Sequence, residues 1–514
     1  MRVGRRRLDV VGALLLGLLV VGLTAWRIAF VLAGPDLDTD AYGHHSIARR
    51  LADHPGDLSA HWVWLPLFHY AQALAVRASA TLDSVRLFDA IVTAATPFVL
   101  YAFLHRRRRS TPDEGRDAAP FIAALLCALS PLAMQMGTTG QTEPLFTLGT
   151  LVCVVCLDAR RWLAAALVLT ALVLLRYEAW AILPAIVAVQ LFDHWSHRRS
   201  IARASLPATD ERPSSSSRRW IVSVALPALA IFGWAALRRR DDGLPWFWFL
   251  RATKEFAHEA QGIHGAFDRG ATQLGKDLLY YPVVVPFACL GWPLLLAPFG
   301  ALCTLRREGS RFVFVYLFIL GFITWAWLTR SSLGLYRHLT VLVPFYCTLV
   351  ANGIVTVGRL VPRNRPFVAR TVVSALAIGA GVLTYRMLDG WMADWRDKAR
   401  TYWPDRRAIA AYLRETSPGT RIFCDEPMIE VLSGVDRRRF DRAPIAPDEP
   451  TRQRVLEAAA RDGEAWVTSY APRLTTLRPI SELTIPSQPP KGPGEAFAPG
   501  EALLLRVPRP PSAP

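Results

Sequence analysis

Residues 8–32 read LDVVGALLLGLLVVGLTAWRIAFVL, and only Asp9 and Arg27 are charged in this stretch. A helix needs roughly 20 apolar residues to cross a hydrocarbon core about 30 Å thick. The run is longer than the roughly 7–15 apolar residues of a signal peptide, and no small-residue cleavage site follows it. It therefore predicts an uncleaved first membrane span.

Further apolar blocks follow the first, and the charged residues stand between them. The chain has 514 residues, of which 52% are hydrophobic and 20% charged, with a mean hydropathy of +0.23. A soluble chain of this length would form several compact domains with more surface charge. The sequence predicts a polytopic α-helical membrane protein with about eleven spans, the later ones near 84–104, 117–136, 142–158, 161–175, 177–193, 220–237, 280–304, 311–329, 335–358 and 367–388.

The net charge of +17 comes largely from arginines that cluster in alternate loops. Such alternation is typical of the positive-inside rule, by which loops rich in Lys and Arg stay in the cytoplasm. It predicts a multi-pass protein of the cell inner (plasma) membrane with a cytoplasmic N-terminus, and it argues against a nucleic-acid partner. The clusters are Arg5–Arg7, Arg106–Arg109, Arg160–Arg161, Arg198–Arg219, Arg306–Arg311 and Arg359–Arg370.

This orientation places three segments outside: 34–84, 238–279 and the chain after Asp389. The last of these has shorter apolar runs with Pro- and Gly-rich stretches such as Pro486–Gly500, which predicts a small α/β domain. We therefore expect a transmembrane domain over 1–390, an extracytoplasmic α/β domain over 391–507 and a disordered tail over 508–514. The predicted helices of the α/β domain lie near 402–415 and 451–461, and its predicted strands near 421–424, 466–469 and 503–507.

Two other segments have a distinct composition. Residues 62–76, WVWLPLFHYAQALAV, are apolar but too short to span. We expect an amphipathic helix in the membrane interface, anchored by Trp62, Trp64 and Phe68. The Ser-rich stretch Thr209–Arg219 reads as a cytoplasmic linker.

Polar residues gather after the first span, in GPDLDTDAYGHH over 34–45. Asp36, Asp38 and Asp40 alternate, so all three would point the same way in an extended strand, whereas on a helix only Asp36 and Asp40 would share a face. One interpretation is a hydrated loop that leaves the membrane. The other is a carboxylate held at the bilayer surface as a general base, helped by a cation.

Histidines also concentrate in the first outer segment. A metal site is one interpretation, because histidine is a common metal ligand. The spacing fits no zinc pattern, however, and we assign no metal ligands. The five histidines are His44, His45, His54, His61 and His69.

Two further polar breaks interrupt apolar stretches at Glu143 and at Arg176-Tyr-Glu178, and a third joins two spans over 329–338. Charged groups at membrane depth are costly unless they are paired or lie in a hydrated cavity. One interpretation is a structural ion pair of Arg176 with Glu178 or Glu143. The functional interpretation rests on the predicted topology, in which every polar break faces the same side.

No phosphate-binding glycine loop or dinucleotide fingerprint is present. The C-terminal domain is also too small for a doubly wound nucleotide-sugar domain. If the protein transfers a group, its donor is therefore expected to be embedded in the bilayer.

These motifs resemble the GT-C class of polyprenyl-phosphate-dependent glycosyltransferases, which includes the protein O-mannosyltransferases and the aminoarabinose transferases of lipid A. The resemblance covers the organisation of the first 390 residues. The class often has Asp-Glu where this chain has Thr39-Asp40, and Arg-Tyr where it has Arg337-His338. The matching stretches are Asp38-Thr-Asp-Ala-Tyr42 with the following Ile-Ala-Arg-Arg-Leu and Trp64-Leu-Pro-Leu67, then Thr142-Glu-Pro-Leu-Phe146 with Arg176-Tyr-Glu178, then Tyr336-Arg-His-Leu with Pro344.

The resemblance implies transfer of a sugar from a polyprenyl-phosphate donor to a hydroxyl of a lipid, glycan or protein acceptor outside the cytoplasm. A lipid phosphate is a good leaving group, so inverting transfer needs a base for the acceptor and no paired general acid of the glycosidase kind. Asp40, with Asp38 as its partner, is the expected base. Arg337, with Arg176 second, is the expected phosphate ligand, and the chemistry leaves room for a divalent cation. The other residues expected to bind substrate are Tyr42, His44, Glu143, Glu178 and His338.

Two other classes remain open at this stage. A transporter or lipid flippase would have ionisable groups near mid-span and inverted repeats, and neither is clear in the sequence. A structural or sensory membrane protein with an outer domain is the third interpretation.

Overall fold

The computed structural model describes residues 2–109, 118–204, 219–243, 245–261, 271–362, 364–401, 403–416, 419–442, 449–470 and 502–509. The chain divides into two compact units. Unit 1 comprises Met1–Leu32, Leu58–Phe68 and Arg86–Ala393, and unit 2 comprises Ala33–Asp57, His69–Val85 and Asp394–Pro514. Unit 2 thus combines the segment after the first helix with the C-terminal part of the chain. The predicted boundary at residue 390 would have assigned these two segments to different domains.

Most of the described chain is α-helical, and proline often marks where a helix begins. A proline in the first turn loses no hydrogen bond, and its φ is already suited to the helix. In chain order the helices are α1 (Arg2–Ala33), α2 (Thr39–Asp53), α3 (Pro66–Arg77), α4 (Leu82–Arg109), α5 (Ala119–Leu129), α6 (Pro131–Met136), α7 (Glu143–Asp158), α8 (Trp162–Val173), α9 (Ile182–Ala204), α10 (Val222–Asp242), α11 (Trp248–Gln261), α12 (Ala271–Leu279), α13 (Val285–Leu290), α14 (Ala297–Leu328), α15 (Val343–Arg359), α16 (Pro366–Thr401), α17 (Pro404–Thr416), α18 (Pro427–Ser433) and α19 (Glu449–Asp462).

Among the described residues, six helices are long and apolar enough to cross a membrane, so the chain is a membrane protein. Two shorter apolar helices, α5 and α8, accompany them. The figure of about eleven spans stays a prediction. The six candidate spans are Val11–Ala33, Leu82–Arg108, Arg219–Asp241, Trp292–Leu328, Tyr336–Arg359 and Pro366–Lys398.

Several predicted blocks are interrupted in the structure by residues that break helices. The block 117–136 divides at Ser130, which caps α6, and Pro131 begins the new helix. Gly291, with φ +67°, separates α13 from the turn before α14. Gly309, with φ +83°, breaks α14 between two predicted blocks. This φ lies in the left-handed region, which favours glycine there.

Unit 2 contains a four-stranded sheet in the order β2-β1-β3-β4, with strands β1 (Ile422–Cys424), β2 (Phe440–Asp441), β3 (Glu464–Tyr470) and β4 (Ala502–Pro508). Strand β1 pairs in parallel with β2 and β3, and β4 pairs antiparallel with β3. Successive side chains of a strand point to opposite faces. Phe423 packs with residues of α19 on one face, and Ile422 packs with residues of α17 on the other.

The predicted helices and strands of the C-terminal region are confirmed as α17, β1, α19, β3 and β4. Helix α18 and strand β2 were not predicted, because each is too short to show a clear period. Pro508 ends β4 and is therefore not part of a tail. The remainder of the predicted tail beyond residue 509, the stretch Pro486–Gly500, and all of the Ser-rich linker except Arg219 lie outside the described residues.

The predicted interfacial helix over 62–76 is partly wrong. The helix α3 begins only at Pro66, and Trp62 adopts a φ of +47°, so Trp62 and Trp64 precede it. Trp62 is exposed, but Phe68 is 4% exposed and buried in the protein. A buried phenylalanine cannot anchor a helix to lipid.

Candidate active site

Five of the predicted site residues form one cluster in unit 1, which we call the membrane cluster: Glu143, Arg176, Glu178, Arg337 and His338. Glu143 begins α7, while Arg176 and Glu178 belong to the turn after α8. Arg337 and His338 lie in the short 3₁₀ helix before α15. Three separate breaks in the helical bundle therefore bring their charged residues together.

Arg176 holds the two carboxylates of the membrane cluster. Its Nη1 lies 2.6 Å from Glu143 Oε1 and donates to Thr142 Oγ1 at 2.7 Å. Its Nε and Nη2 donate to the two oxygens of Glu178 at 3.1 and 2.7 Å, a bidentate pair. The paired interpretation of Arg176 is confirmed with both glutamates at once. All three nitrogens of this guanidinium are thus engaged within the protein.

Arg337 and His338 complete the membrane cluster on its more exposed side. Arg337 Nε lies 3.5 Å from Glu143 Oε1, a longer contact than that of Arg176. His338 Nδ1 lies 2.8 Å from Glu178 Oε1. The side chains of Arg337 and His338 are 15% and 21% exposed, against 3% for Glu143. The cluster therefore presents a cation and an imidazole outward, above two buried carboxylates.

Helix α4 supports the turn that carries Glu143. Arg86 donates through Nε to the carbonyl of Thr138 at 2.9 Å, and Asp89 Oδ2 accepts from the amide of Gln141 at 3.1 Å. Both side chains are buried. Arg86 and Asp89 thus bond to backbone groups of the turn that carries Glu143. Buried peptide groups need such partners because no water reaches them.

A second set of bonds fixes the residue before Arg337. Gln135 at the end of α6 donates through Nε2 to the hydroxyl of Tyr336 at 2.9 Å, and it accepts from Trp391 Nε1 at 2.6 Å. These bonds hold Tyr336, the residue next to Arg337, in place.

The predicted base residues lie in unit 2, at the start of α2. Asp38 is the N-cap of this helix, and its Oδ1 accepts from the amide of Asp40 at 3.1 Å. Asp36 is buried, and its Oδ1 accepts from the amide of Asp38 at 3.0 Å. Asp40 lies in the first turn, where the helix dipole favours a carboxylate. The three carboxylates therefore differ in role, and only Asp40 lies within the helix.

Tyr42 and His44 are also on α2, and both are buried. The hydroxyl of Tyr42 donates to the carbonyl of Asp36 at 2.9 Å. His44 Nδ1 lies 2.8 Å from Nε2 of His69, so one ring donates and the other accepts. The structure thus gives each an internal partner, and their role in substrate binding stays a prediction.

Four residues of unit 2 form what we call the anchor cluster: Ser46, Arg49, Glu430 and Arg442. Glu430 of α18 is 1% exposed and accepts from Ser46 Oγ at 2.6 Å. Arg442 donates to both its oxygens at 2.7 Å, and Arg49 Nη1 lies 3.3 Å from Oε1. Burial alone would raise the pKa of Glu430, but the hydrogen bonds and charge of Arg442, with Arg49 and Ser46, lower it. The anchor cluster therefore ties α2 to α18.

Among the described residues, no group of three or more His, Cys, Asp or Glu side chains could hold a metal ion. Of the five histidines in the first outer segment, His44 and His69 pair with each other, and His45 Nδ1 lies 3.3 Å from Gln72 Oε1. His61 packs edge-on against Trp234 within unit 1. Internal contacts thus account for four of these rings.

No family model and no curated protein matches the sequence. Solved structures do match. ArnT from Cupriavidus metallidurans in the apo state is 11% identical, with a TM-score of 0.56 over 95% of this chain and 97% of that chain. The same protein bound to undecaprenyl phosphate gives 11% identity and a TM-score of 0.56, over 96% and 97% of the two chains. The oligosaccharyltransferase AglB from Archaeoglobus fulgidus, in complex with an inhibitory peptide and a dolichol-phosphate, is 12% identical. Its TM-score is 0.46 over 87% of this chain and 69% of that chain.

The chain has a GT-C-like fold. The ArnT similarity covers nearly the whole of both chains. At 11% identity it establishes the fold alone.

Sequence reasoning missed the residues that support the site. Arg86 and Asp89 stand inside a predicted span, and charged residues at such positions are a recognised signal of function or pairing. Asp38 also had a visible signal, because Asp just before a helix is a preferred N-cap. Glu430 had none, since 384 residues separate it from Ser46.

Proposed function

We propose that this protein is a membrane glycosyltransferase. It moves a sugar from a polyprenyl-phosphate-linked donor to a hydroxyl of a lipid, glycan or protein acceptor, with inversion at the sugar carbon. The membrane cluster is the observation that carries the proposal, because it concentrates Arg337 and His338 at breaks between apolar helices. The GT-C-like fold supports it, and so does the binding of undecaprenyl phosphate by the ArnT that shares this fold.

The donor phosphate is bound by Arg337. Arginine can give two parallel hydrogen bonds to phosphate oxygens and remains charged at any physiological pH. Arg176 carries the same charge, but its three nitrogens already donate to Thr142 and Glu178, and its Nη1 also forms an ion pair with Glu143. Arg176 therefore organises the membrane cluster, and Arg337 is its substrate ligand.

The acceptor hydroxyl gives its proton to Asp40. Asp38 caps α2 through the amide of Asp40, so its carboxylate serves the helix first. A base is required because a neutral hydroxyl attacks weakly. Tyr42 and His44, which lie on the same helix as Asp40, contribute to substrate binding.

The reaction takes place on the extracytoplasmic side of the inner (plasma) membrane, with the N-terminus in the cytoplasm and the C-terminal sheet outside. The alternation of arginine clusters supports this orientation. A phosphatase fusion after Val507 is expected to be active, and a cytoplasmic reporter at the same position inactive.

Transfer is tested with purified protein, radiolabelled polyprenyl-phosphate sugars and a membrane extract as the source of acceptors. We expect label to leave the lipid carrier only when protein and extract are both present. Asp462→Asn is a matched control, because Asp462 forms an exposed pair with Arg461 at the end of α19. Label that stays on the carrier with every sugar would overturn the proposal, and movement of intact donor across a vesicle membrane would favour a flippase.

A further inference from the structure

Among the described residues, the hydrogen-bond partners of His338 lie on one side of its ring. Its Nδ1 lies 2.8 Å from Glu178 Oε1 and 2.9 Å from Arg176 Nη2. A bare Nδ1 accepts from Arg176, whereas a protonated Nδ1 donates to Glu178. In the doubly protonated ring Nδ1 donates to Glu178, beside the bond from Arg176 to the same oxygen.

The orientation of His338 follows from this bond. A ring held by a carboxylate at Nδ1 has its Nε2 directed away from that carboxylate, and the side chain is 21% exposed. Among the described residues, no hydrogen bond to Nε2 is present. This carboxylate–imidazole arrangement is the one by which proteins fix the tautomer of a histidine that works through its other nitrogen.

Charged residues of both signs surround His338. Its Nδ1 contacts Glu178 and Arg176, and these two residues connect it to Glu143 and Arg337. Imidazole is the side chain that most often serves as a general acid or base in catalysis.

We propose that His338, positioned by Glu178, is a catalytic residue that donates a proton from Nε2 to the departing lipid phosphate. This inference rests on the proposed function. As the acceptor oxygen bonds to the sugar carbon, the bond from that carbon to the donor phosphate oxygen breaks, and the oxygen keeps the electron pair. The acceptor proton passes to Asp40, and the phosphate oxygen takes the Nε2 proton. Solvent then returns a proton to His338 and removes one from Asp40, so the cycle balances.

The experiment measures the equilibrium binding of farnesyl phosphate, a short polyprenyl phosphate, to the full-length protein between pH 5.5 and 8.5. Wild type is compared with His338→Gln, whose amide can still donate to Glu178. The phosphate itself titrates in this range, so the readout is the ratio of the two Kd values at each pH. A charge-assisted hydrogen bond from Nε2 predicts a ratio of roughly tenfold or more at pH 5.5. The ratio is expected to be smaller at pH 8.5, where proton donation is less favourable.

A matched control is His258→Gln, a half-buried histidine of unit 1 whose Nε2 lies 3.4 Å from the carbonyl of Thr329. This variant is expected to bind as wild type does at every pH. A ratio for His338→Gln that does not change with pH would overturn the role of His338, while continued transfer by wild type would leave the proposed function standing. Wild-type protein that neither binds farnesyl phosphate nor transfers label would overturn both.

Discussion

The membrane cluster and the anchor cluster are both built from buried glutamates and arginines, but they differ in what they leave accessible. In the anchor cluster both oxygens of Glu430 are bonded to Ser46 and Arg442, and the carboxylate is 1% exposed. In the membrane cluster the buried carboxylates hold Arg176, while His338 is 21% exposed. The first arrangement holds two helices together, and under the proposed function the second presents groups that bind the donor phosphate and exchange protons.

This difference gives a criterion for separating structural ion pairs from a site. Removing one partner of a buried pair leaves an uncompensated charge, so damage to a structural cluster should appear mainly as lost stability. Damage to an exposed member of a working cluster should appear mainly as lost activity. Of the following predictions, those for Glu430 and Arg337 test the two clusters themselves, and those for Asp40 and His45 test the same distinction on helix α2.

The largest effect is expected for Asp40→Asn. Asparagine keeps the size of the side chain but cannot accept the acceptor proton, and loss of a general base costs roughly 10²–10⁴-fold in kcat. The melting temperature should change little, because Asp40 is only partly buried at the first turn of α2. Full activity in this variant and in Asp38→Asn would contradict the assignment of the base.

The next effect concerns stability. Glu430→Gln removes the charge that faces Arg442 and Arg49, and breaking a buried ion pair in this way costs about 3–5 kcal/mol. Thermal unfolding of the purified protein measures it. Glu449→Gln is the control, since Glu449 pairs with Arg452 at 70% exposure, and a surface pair is worth less than about 1 kcal/mol. Equal losses in the two variants would mean that the anchor cluster is not structural.

A smaller effect depends on pH. Burial, and then the charge of Arg49, lowers the pKa of His45 from 6.5 to about 4. Between pH 4 and 6.5, His45 is therefore protonated in the unfolded chain but neutral in the folded chain. Stability should be full above pH 6.5 and should fall by up to about 3 kcal/mol as the pH drops toward 4. His45→Gln should remove that part of the pH dependence, and a variant that keeps the wild-type slope would contradict the argument.

The smallest effect is expected for Arg337→Lys. Lysine keeps the charge but cannot give two parallel hydrogen bonds to a phosphate, so donor kcat/KM should fall roughly five- to tenfold. Arg337→Ala should lower it further. The exposed Arg306 provides the control variant Arg306→Lys, which should be neutral. An unchanged donor kcat/KM in Arg337→Lys would contradict the phosphate role. It would mean that Arg337 only extends its charged end to the membrane interface.

The sequence predicted the helical membrane class, the C-terminal strands and the pairing of Arg176 with Glu143 and Glu178. These features follow from local periodicity and from the cost of charge in an apolar environment, and both are visible in a single chain. The short interruptions were harder to predict. Gly309 breaks α14 through its φ angle, at a contact with Arg107, which belongs to a helix 200 residues away.

Contacts between distant segments could not be predicted. His44 pairs with His69 across 25 residues, and Arg437 forms two 2.8 Å bonds with Asp53 across 384. No periodicity or motif encodes such partners in one sequence. The sequence placed Asp38 beside Asp40 as the partner of the base, while the structure shows that the carboxylate of Asp38 caps α2.

The central claim is that the protein cleaves the bond between a sugar and a polyprenyl phosphate. Phosphorus NMR observes this bond directly, because the donor is a phosphodiester and the product a phosphomonoester. With purified protein and a membrane extract, the diester signal is predicted to convert to monoester, and the conversion should be lost in Asp40→Asn. A diester signal that wild-type protein leaves unchanged with every polyprenyl-phosphate sugar supplied would contradict the account.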